Sequence, residues 1–520
     1  MSNHAASDEA CAMDDLYDVI VVGGGGSGLA AAVSAAQHGG RILLLEKQPH
    51  LGGTTGIAVG SFTAAGTRWQ RAHGITDSVV EHAIDAGRFA APSIEARNNS
   101  ELRGYFLSQA SETLDWLAAF GLAFVGPHPE PPNRVARMHN VVPNAKAYIA
   151  ALQTELVRLG GAIVTSAAVT GLLRAGGRVT GVRVIIGNPD VRACEFHAAR
   201  AVILAAGDYA SAPDLIRNFK GAGYDVIEGI NPFACGDGQR LVESEGGQLL
   251  NMDVTYGPEL RFVAPTRPGF QSWLPTSPWA ARLFANLARF APAWLMRTYI
   301  KRLLVTWQHP ENALFDDGAI LINGRGERFC NERLWPDREL AVAQQPEKIA
   351  YILLDGRLVK RYSAWPHFIS TAPDIAYAYV ADYLRLRPDV AVRADSLELL
   401  AQRRRIDAGR LRATVEAYNQ GLTAAPATAN GNYALRPLDG APWILLGPAK
   451  AYFTTTEGGA AIDRQFRVLD RSGEPIPGLY AVGQNGLGGM ILWGHGLHIA
   501  WAITSGRLAG QVVMHGELAV

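Results

Sequence analysis

Residues 16–32 read LYDVIVVGGGGSGLAAA, residues 42–47 read ILLLEK and residues 51–55 read LGGTT. An apolar run over 17–22 enters the pattern Gly23-x-Gly25-x-x-Gly28, and small residues continue as a helix through Ala36. A second apolar run, 42–45, ends on Glu46, 23 residues after Gly23. Each residue type has a physical task in such a unit. Gly23 permits the tight turn, Gly25 lets a diphosphate approach the backbone, and Gly28 lets the helix lie close to the sheet. The helix N-terminus, with Ser27 in its first turn, offers free N–H groups and a positive dipole end to phosphates. Glu46 is placed to accept hydrogen bonds from ribose hydroxyls. With strand, helix, second strand and terminal acid in order, the segment reads as a dinucleotide-binding βαβ unit.

At 520 residues the chain exceeds the usual single-domain size, so two domains are expected. The 48 basic residues balance 48 acidic ones, and nothing in that sum favours nucleic acid. Cys11, Cys194, Cys235 and Cys330 form no CxxC pair, which argues against an iron–sulfur cluster or a disulfide framework. A reduced, cytoplasmic setting and no metal site are expected. Residues 1–15 are acidic, without a basic or apolar leader region, and are expected to be a disordered tail. No apolar run reaches the roughly 18 residues of a spanning helix.

Helical periodicity over 144–159 leads into strand-like runs at 162–169, 179–186 and 201–206. A glycine-rich turn at 231–238 opens a short helix at 239–245. From about 254 to 440 the composition becomes aromatic and Arg-rich, then helical over 396–420, with a loop at 424–432. The last 80 residues return to short strands, glycine turns and a helix over 497–510. The expected class is α/β. One nucleotide domain, 16–253 and 441–520, is made from both ends of the chain, and 254–440 is inserted as a second domain.

Several strings carry a family resemblance. Leu51-Gly52-Gly53-Thr54-Thr55 after the second strand, the 202–207 run ending Ala205-Ala206-Gly207, and 321–332 (LINGRGERFCNE) are three of them. Thr456-Glu457-Gly458-Gly459 and 476–484 (IPGLYAVGQ) are two more. Together they resemble the fumarate reductase and succinate dehydrogenase flavoprotein superfamily, in its order and over nearly the whole chain. The resemblance implies FAD in a Rossmann-like domain, facing an inserted α+β capping (substrate) domain. It places the cofactor on Gly23, Gly25, Ser27, Gly28, Glu46, Lys47, Gly52, Gly53, Thr54, Thr55, Val169, Ala206, Gly207, Asp237, Gly483, Gln484 and Leu497. Covalent members carry a histidine where this chain has Thr54-Thr55-Gly56, so noncovalent FAD is implied.

Three departures bear on the reaction. The superfamily's proton-donating arginine, in N-E-x-x-x-R-D, is Pro336 here, with Arg333 and Arg338 as nearby substitutes. The histidine before T-x-G-G is Thr455 or Thr454, and the carboxylate-gripping arginine falls near Trp493. A dicarboxylate depends on such bidentate guanidinium contacts, and few remain. The Gly-Gly-Thr-Thr string is most like the 3-ketosteroid dehydrogenase-like branch, although that branch's C-terminal tyrosine corresponds to Leu492. Its chemistry needs a base for the proton beside a ketone, donors for the enolate and a hydride-accepting flavin. His495, Tyr452, Tyr256 and the Gly496 N–H are the catalytic candidates, with His498 and Glu457 nearby. His495 is preferred because its ordinary pKa suits proton transfer at neutral pH.

The expected function is that of an FAD-dependent dehydrogenase or reductase. It forms or reduces a C=C bond conjugated to a ketone in a steroid-like or alicyclic substrate. Two alternatives stay open: an ene-reductase of a fumarate-like unsaturated acid, and a degenerate FAD-binding protein that meets a membrane or a partner. Between Glu259 and Glu311 lie seven basic residues, nine aromatics and no acid. Leu283, Leu287, Phe290 and Trp294 recur on one helical face and Arg282, Arg289 and Arg297 on another. Such a helix either packs within the cap or makes peripheral membrane contact through 279–307, which suits a hydrophobic ketone and a quinone acceptor.

Overall fold

The run 17–22 lies within Leu16–Val22, the strand on which an eight-stranded sheet is assembled. The sheet order is Arg467–Leu469, Pro475–Ala481, Arg192–Leu204, Leu16–Val22, Ile42–Leu45 and Ala162–Val164. Ala167–Ala175 and Arg178–Ile186 add a hairpin beside Arg192–Leu204. Val21 pairs in parallel with Leu44 on one side and Ile203 on the other, and Leu204 pairs with Ala481. Strands from both ends of the chain thus share one sheet. The chain has the α/β fold expected of it. The computed structural model describes residues 16–187, 191–265, 301, 302, 305, 309–372, 376–424 and 435–515. The expected N-terminal tail and nearly all of the 279–307 segment lie outside them.

Helices Gly26–Gln37 and Leu497–His515 cross in close contact against this sheet. A Cβ on Gly506 would stand 2.2 Å from the Ser27 carbonyl oxygen, and one on Gly510 would stand 2.4 Å from that of Ala31. The backbones therefore meet at a distance only glycine allows. At the opening turn, a Cβ on Gly28 would lie 1.8 Å from the Gly23 carbonyl oxygen, so that position tolerates no side chain.

A second sheet of six strands has its own apolar core. Glu228–Gly229, Glu259–Phe262, Ala350–Leu354 and Ala391–Ala394 all pair with Trp443–Phe453, and Ile320–Ile322 pairs with Ala350–Leu354. Trp443–Phe453 lies in a segment the sequence assigned to the first unit. Its buried 443–447 run instead makes it the strand on which the second sheet is organised. Just outside this sheet, Thr255–Tyr256 pairs antiparallel with Thr455–Thr456. The helix expected over 396–420 is two helices, Leu397–Arg404 and Ala408–Ala424, broken where Arg405 adopts φ +57°. Cys194, expected as a reduced thiol, is disulfide-bonded; its strand runs half-exposed at the sheet surface, where a thiol is accessible for bridging. No helix among the described residues is long and apolar enough to cross a membrane.

A buried ion cluster holds the loop that follows residue 128. Arg137 is 1% exposed and grips Asp77 through two bonds of 2.7 Å, Asp85 at 2.6 Å and the Asn133 side-chain oxygen at 3.0 Å. Burial alone would raise Asp77 and Asp85, but the Arg137 hydrogen bonds outweigh it and hold both below the usual carboxylate range. Their contribution to stability is therefore present above the ordinary aspartate pKa and is lost as pH falls through the lowered values. Arg137→Ala strips buried Asp77 of its ion-pair partner, leaves Asp85 to Arg134 and Arg88, and is expected to cost about 3–5 kcal/mol, read as a lower denaturant midpoint. An unchanged midpoint would show that the cluster contributes nothing net.

Candidate functional site

The glycine turn and the loop at 51–55 form one cradle. Gly25 and Gly52 are bridged in parallel, and Gly52 N–H donates to the Gly24 carbonyl at 3.0 Å. Glu46 is buried, and its carboxylate accepts from Gly24 N–H at 2.7 Å and Gln48 N–H at 2.8 Å. One lone pair on each oxygen thus braces the turn, and the second remains for a ribose hydroxyl. Val169 lies two residues beyond Ala167, whose N–H donates to the Glu46 backbone carbonyl at 2.9 Å. Lys47 is ion-paired to Asp237 at 2.5 Å, which brings the 231–238 turn to the cradle, and Asn231 donates to Thr54 Oγ1 at 2.9 Å. Thr54, Thr55 and Gly53 stay at least partly open.

The C-terminal strand closes the other side. Gly483 packs on Ser27, where a Cβ would meet Ser27 Oγ at 2.6 Å, and Leu497 opens the final helix. Ala206 N–H reaches Asn485 Oδ1 at 3.4 Å, and the Gly207 carbonyl accepts from Gln239 at 3.0 Å. Asn485, fully buried and not singled out by the sequence, has an unpartnered Nδ2. Gln484 donates to Thr455 and the Thr456 carbonyl while its Oε1 has no partner, and Thr456 Oγ1 is also unpartnered. Orphaned buried amide and hydroxyl atoms beside an open glycine cradle fit a polar, extended ligand with a diphosphate.

Beyond this cradle a short segment, 493–498, meets the second sheet. His495 is bonded twice to one buried carboxylate: its backbone N–H donates to Glu130 Oε1 at 2.8 Å, and its ring Nδ1 meets the same oxygen. Thr63 ties down the His495 carbonyl at 2.7 Å. The side chain is 61% exposed, and Nε2 has no partner among the described residues. Burial pushes the imidazole down, but the Glu130 hydrogen bond and charge push it up and prevail, so His495 titrates above the usual histidine range. His498 Nε2 is bound to the buried Glu457 at 2.8 Å, and Glu457 also accepts from Leu492 N–H at 3.1 Å.

Tyr256 packs edge-on to Trp493 and His498, with ring centroids 5.9 and 6.3 Å away. Burial, reinforced by the Glu259 carboxylate, raises its phenol well above the ordinary value, so it stays a protonated donor. Its hydroxyl and the Gly496 N–H have no hydrogen-bond partner among the described residues. Tyr452 makes no hydrogen bond or ring contact with His495, Tyr256 or Gly496 among the described residues. It lies between Glu228 and Glu259 on the second sheet, and Glu228, after burial, raises its phenol to about 12.

The positions of a dicarboxylate clamp hold no available cation. Pro336 precedes the helix Asp337–Ala343. Arg338 is buried and bound to Glu339 at 2.5 Å and Asn312 at 3.0 Å, and exposed Arg333 pairs with Asp316 at 3.3 Å. Thr455 donates to the buried Asp208 at 2.8 Å, and Thr454 is tied to Glu259 at 3.2 Å.

Residues 18–262 and 288–493 match the model of a family described as the FAD binding domain. The chain belongs to that FAD-binding family. Its cofactor is FAD, and the open cradle and orphaned polar atoms described above fit it. The flavoprotein is 27% identical over 515 residues to fumarate reductase (cytochrome) of Shewanella frigidimarina, covering 96% of this chain and 78% of that one. Its fold is similar to the open conformation of a flavocytochrome c3 fumarate reductase, with TM-score 0.72, 23% identity, and 99% and 81% of the two chains covered. It is also similar to 3-ketosteroid delta1-dehydrogenase from Sterolibacterium denitrificans, with TM-score 0.64, 19% identity, and 97% and 100% covered.

Gly25 separates the cofactor role of the cradle from its structural role. Its φ is −80°, and a Cβ there meets nothing closer than 3.8 Å, so neither the backbone nor the first carbon of a side chain is strained in the folded chain. Gly25→Val is expected to give folded, colourless protein, checked by circular dichroism and flavin absorbance. A yellow Gly25→Val protein would contradict the assignment.

Proposed function

We propose that this flavoprotein interconverts a ketone and its conjugated enone in an apolar, alicyclic or steroid-like substrate. The chain is an FAD-dependent oxidoreductase acting on CH–CH groups, of the fumarate reductase and ketosteroid dehydrogenase type. One observation carries the substrate reading. The cavity segment offers a carboxylate-supported histidine and open neutral donors beside aromatic rings, while the clamp positions hold Trp493, Thr454, Thr455 and Pro336. Noncovalent FAD, held on the 23–28 and 51–55 turns, supplies the hydride exchange with the β-carbon.

The side chains account for the rest. In the reducing direction, protonated His495 gives its Nε2 proton to the α-carbon as the β-carbon gains hydride. In the desaturating direction, neutral Nε2 removes that proton. Tyr256 O–H and Gly496 N–H donate to the carbonyl oxygen while it carries enolate charge, and they cost no reorganisation because nothing else occupies them. Glu130 fixes the ring through Nδ1 and keeps it protonated to higher pH. That favours proton donation, and so the reducing direction near neutrality. Electrons then enter from an external carrier, for which a quinone is chemically suited.

Anaerobic mixing of the oxidised protein with a 3-ketosteroid or cyclohexanone derivative is expected to bleach the flavin. No bleaching across such a panel, with no reoxidation of reduced protein by the matching enones, overturns the reading. Acid precipitation is expected to leave the flavin in the supernatant. Reoxidation of reduced protein by an enone is expected to be flat at low pH and to fall as pH rises through the elevated His495 pKa, above the ordinary value of about 6.5. Glu130→Gln removes the charge that raises it and moves the fall to lower pH. A fall at the same pH in wild type and Glu130→Gln would show that Glu130 does not set the proton donor.

A further inference from the structure

Glu259–Phe262 places Glu259 and Arg261 two residues apart on one face of the second sheet. Arg261 reaches a single oxygen of Glu259, Oε2, from Nε at 3.2 Å and from its terminal nitrogen at 2.7 Å. Thr454 Oγ1 donates to that same oxygen at 3.2 Å. Oε1 has no hydrogen-bond partner among the described residues, and the side chain is 24% exposed. Despite burial, the Arg261 charge holds the carboxyl below the usual range, so it remains ionised.

Glu259 lies beside the residues of the proposed reaction: Thr454, which donates to it, also donates its N–H to the Tyr256 carbonyl at 3.0 Å. Tyr256, His309 and His495 all feel the Glu259 charge. His309 is driven down, first by burial, and so is a neutral imidazole with one donor and one acceptor nitrogen. Its buried Nδ1 has no partner, and neither has the buried Trp493 indole N–H beside Tyr256. An open carboxylate oxygen next to unpartnered neutral groups repels a substrate carboxylate, and from a neutral substrate it accepts most strongly from a hydroxyl hydrogen.

We propose that Glu259 is a specificity-determining residue that accepts a hydrogen bond from a hydroxyl on the ring-ketone substrate and discriminates against carboxylate-bearing rings. This rests on the ketone–enone reading and narrows it to hydroxylated substrates. Arg261 holds Oε2 and leaves Oε1 to the substrate; His309 or the Trp493 indole supplies a donor to the same hydroxyl oxygen.

The test is the rate of reoxidation of the reduced holoprotein by cyclohex-2-enone and by its 4-, 5- and 6-hydroxy derivatives. At least one hydroxy isomer is expected to exceed the parent in kcat/KM by about 10- to 100-fold, the size of a hydrogen bond to a charged acceptor. In Glu259→Gln, with FAD content confirmed, that ratio is expected to fall towards one. The rate with 4-oxocyclohex-2-ene-1-carboxylate is expected to rise relative to the parent. Equal rates for the hydroxy isomers and the parent in wild type, or an advantage that survives in Glu259→Gln, overturn the inference while leaving the enone reading intact. Failure of every enone, the parent included, overturns the enone reading and this inference with it.

Discussion

The close crossing of Gly26–Gln37 and Leu497–His515 is the contact on which the site depends. Gly506 and Gly510 lie where any side chain would strike the Ser27 and Ala31 carbonyls, so the two backbones are locked at a glycine distance. The first helix begins at the cofactor turn, and the second begins directly after Gly496. One helix pair therefore brings both positive helix ends, one at the glycine turn and one at Gly496, into a fixed relation. The 493–498 segment inherits its place from that crossing.

What surrounds the segment is a balance of satisfied and open polar groups. Glu130 is tied through Asn133 to Arg137, and Arg137 to Asp77 and Asp85, so a buried charge cluster stiffens the loop that holds His495. Glu457 does the same for His498. By contrast, the Tyr256 hydroxyl, the Gly496 N–H and one oxygen of Glu259 have no hydrogen-bond partner among the described residues. Buried polar groups are normally paired, and open ones at a cavity mark where a ligand completes them. The rigid side of the site is charged and self-contained; its open side is neutral in donors and carries one unshared acceptor.

The cofactor half was legible because its constraints are local. Glycine spacing, a strand ending on Glu46 and the Gly52-Gly53-Thr54-Thr55 string each report a backbone geometry within a few residues. His495 and Tyr256 could be nominated from their positions near landmark strings, but their environments could not. Glu130 lies 365 residues from His495 in sequence, in a proline-rich loop with no periodicity, and nothing local signals the pairing. Glu259 and Arg261 read as the edge of an acid-free stretch until strand pairing set them on one face. The surroundings of Tyr452 were hidden for the same reason, since register decides which partner a strand residue faces. The break at Arg405 escaped because an arginine in the left-handed region leaves no compositional mark.

The central claim is that His495, held by Glu130, moves the proton at the carbon beside the ketone. It is tested most directly by exchange of the α-hydrogens of cyclohexanone with D2O, followed by NMR on the oxidised holoprotein. The wild type is expected to catalyse exchange, and His495→Gln with full FAD to lose it by at least about 100-fold, the lower end of general acid–base contributions. Exchange at the wild-type rate in His495→Gln would contradict the account.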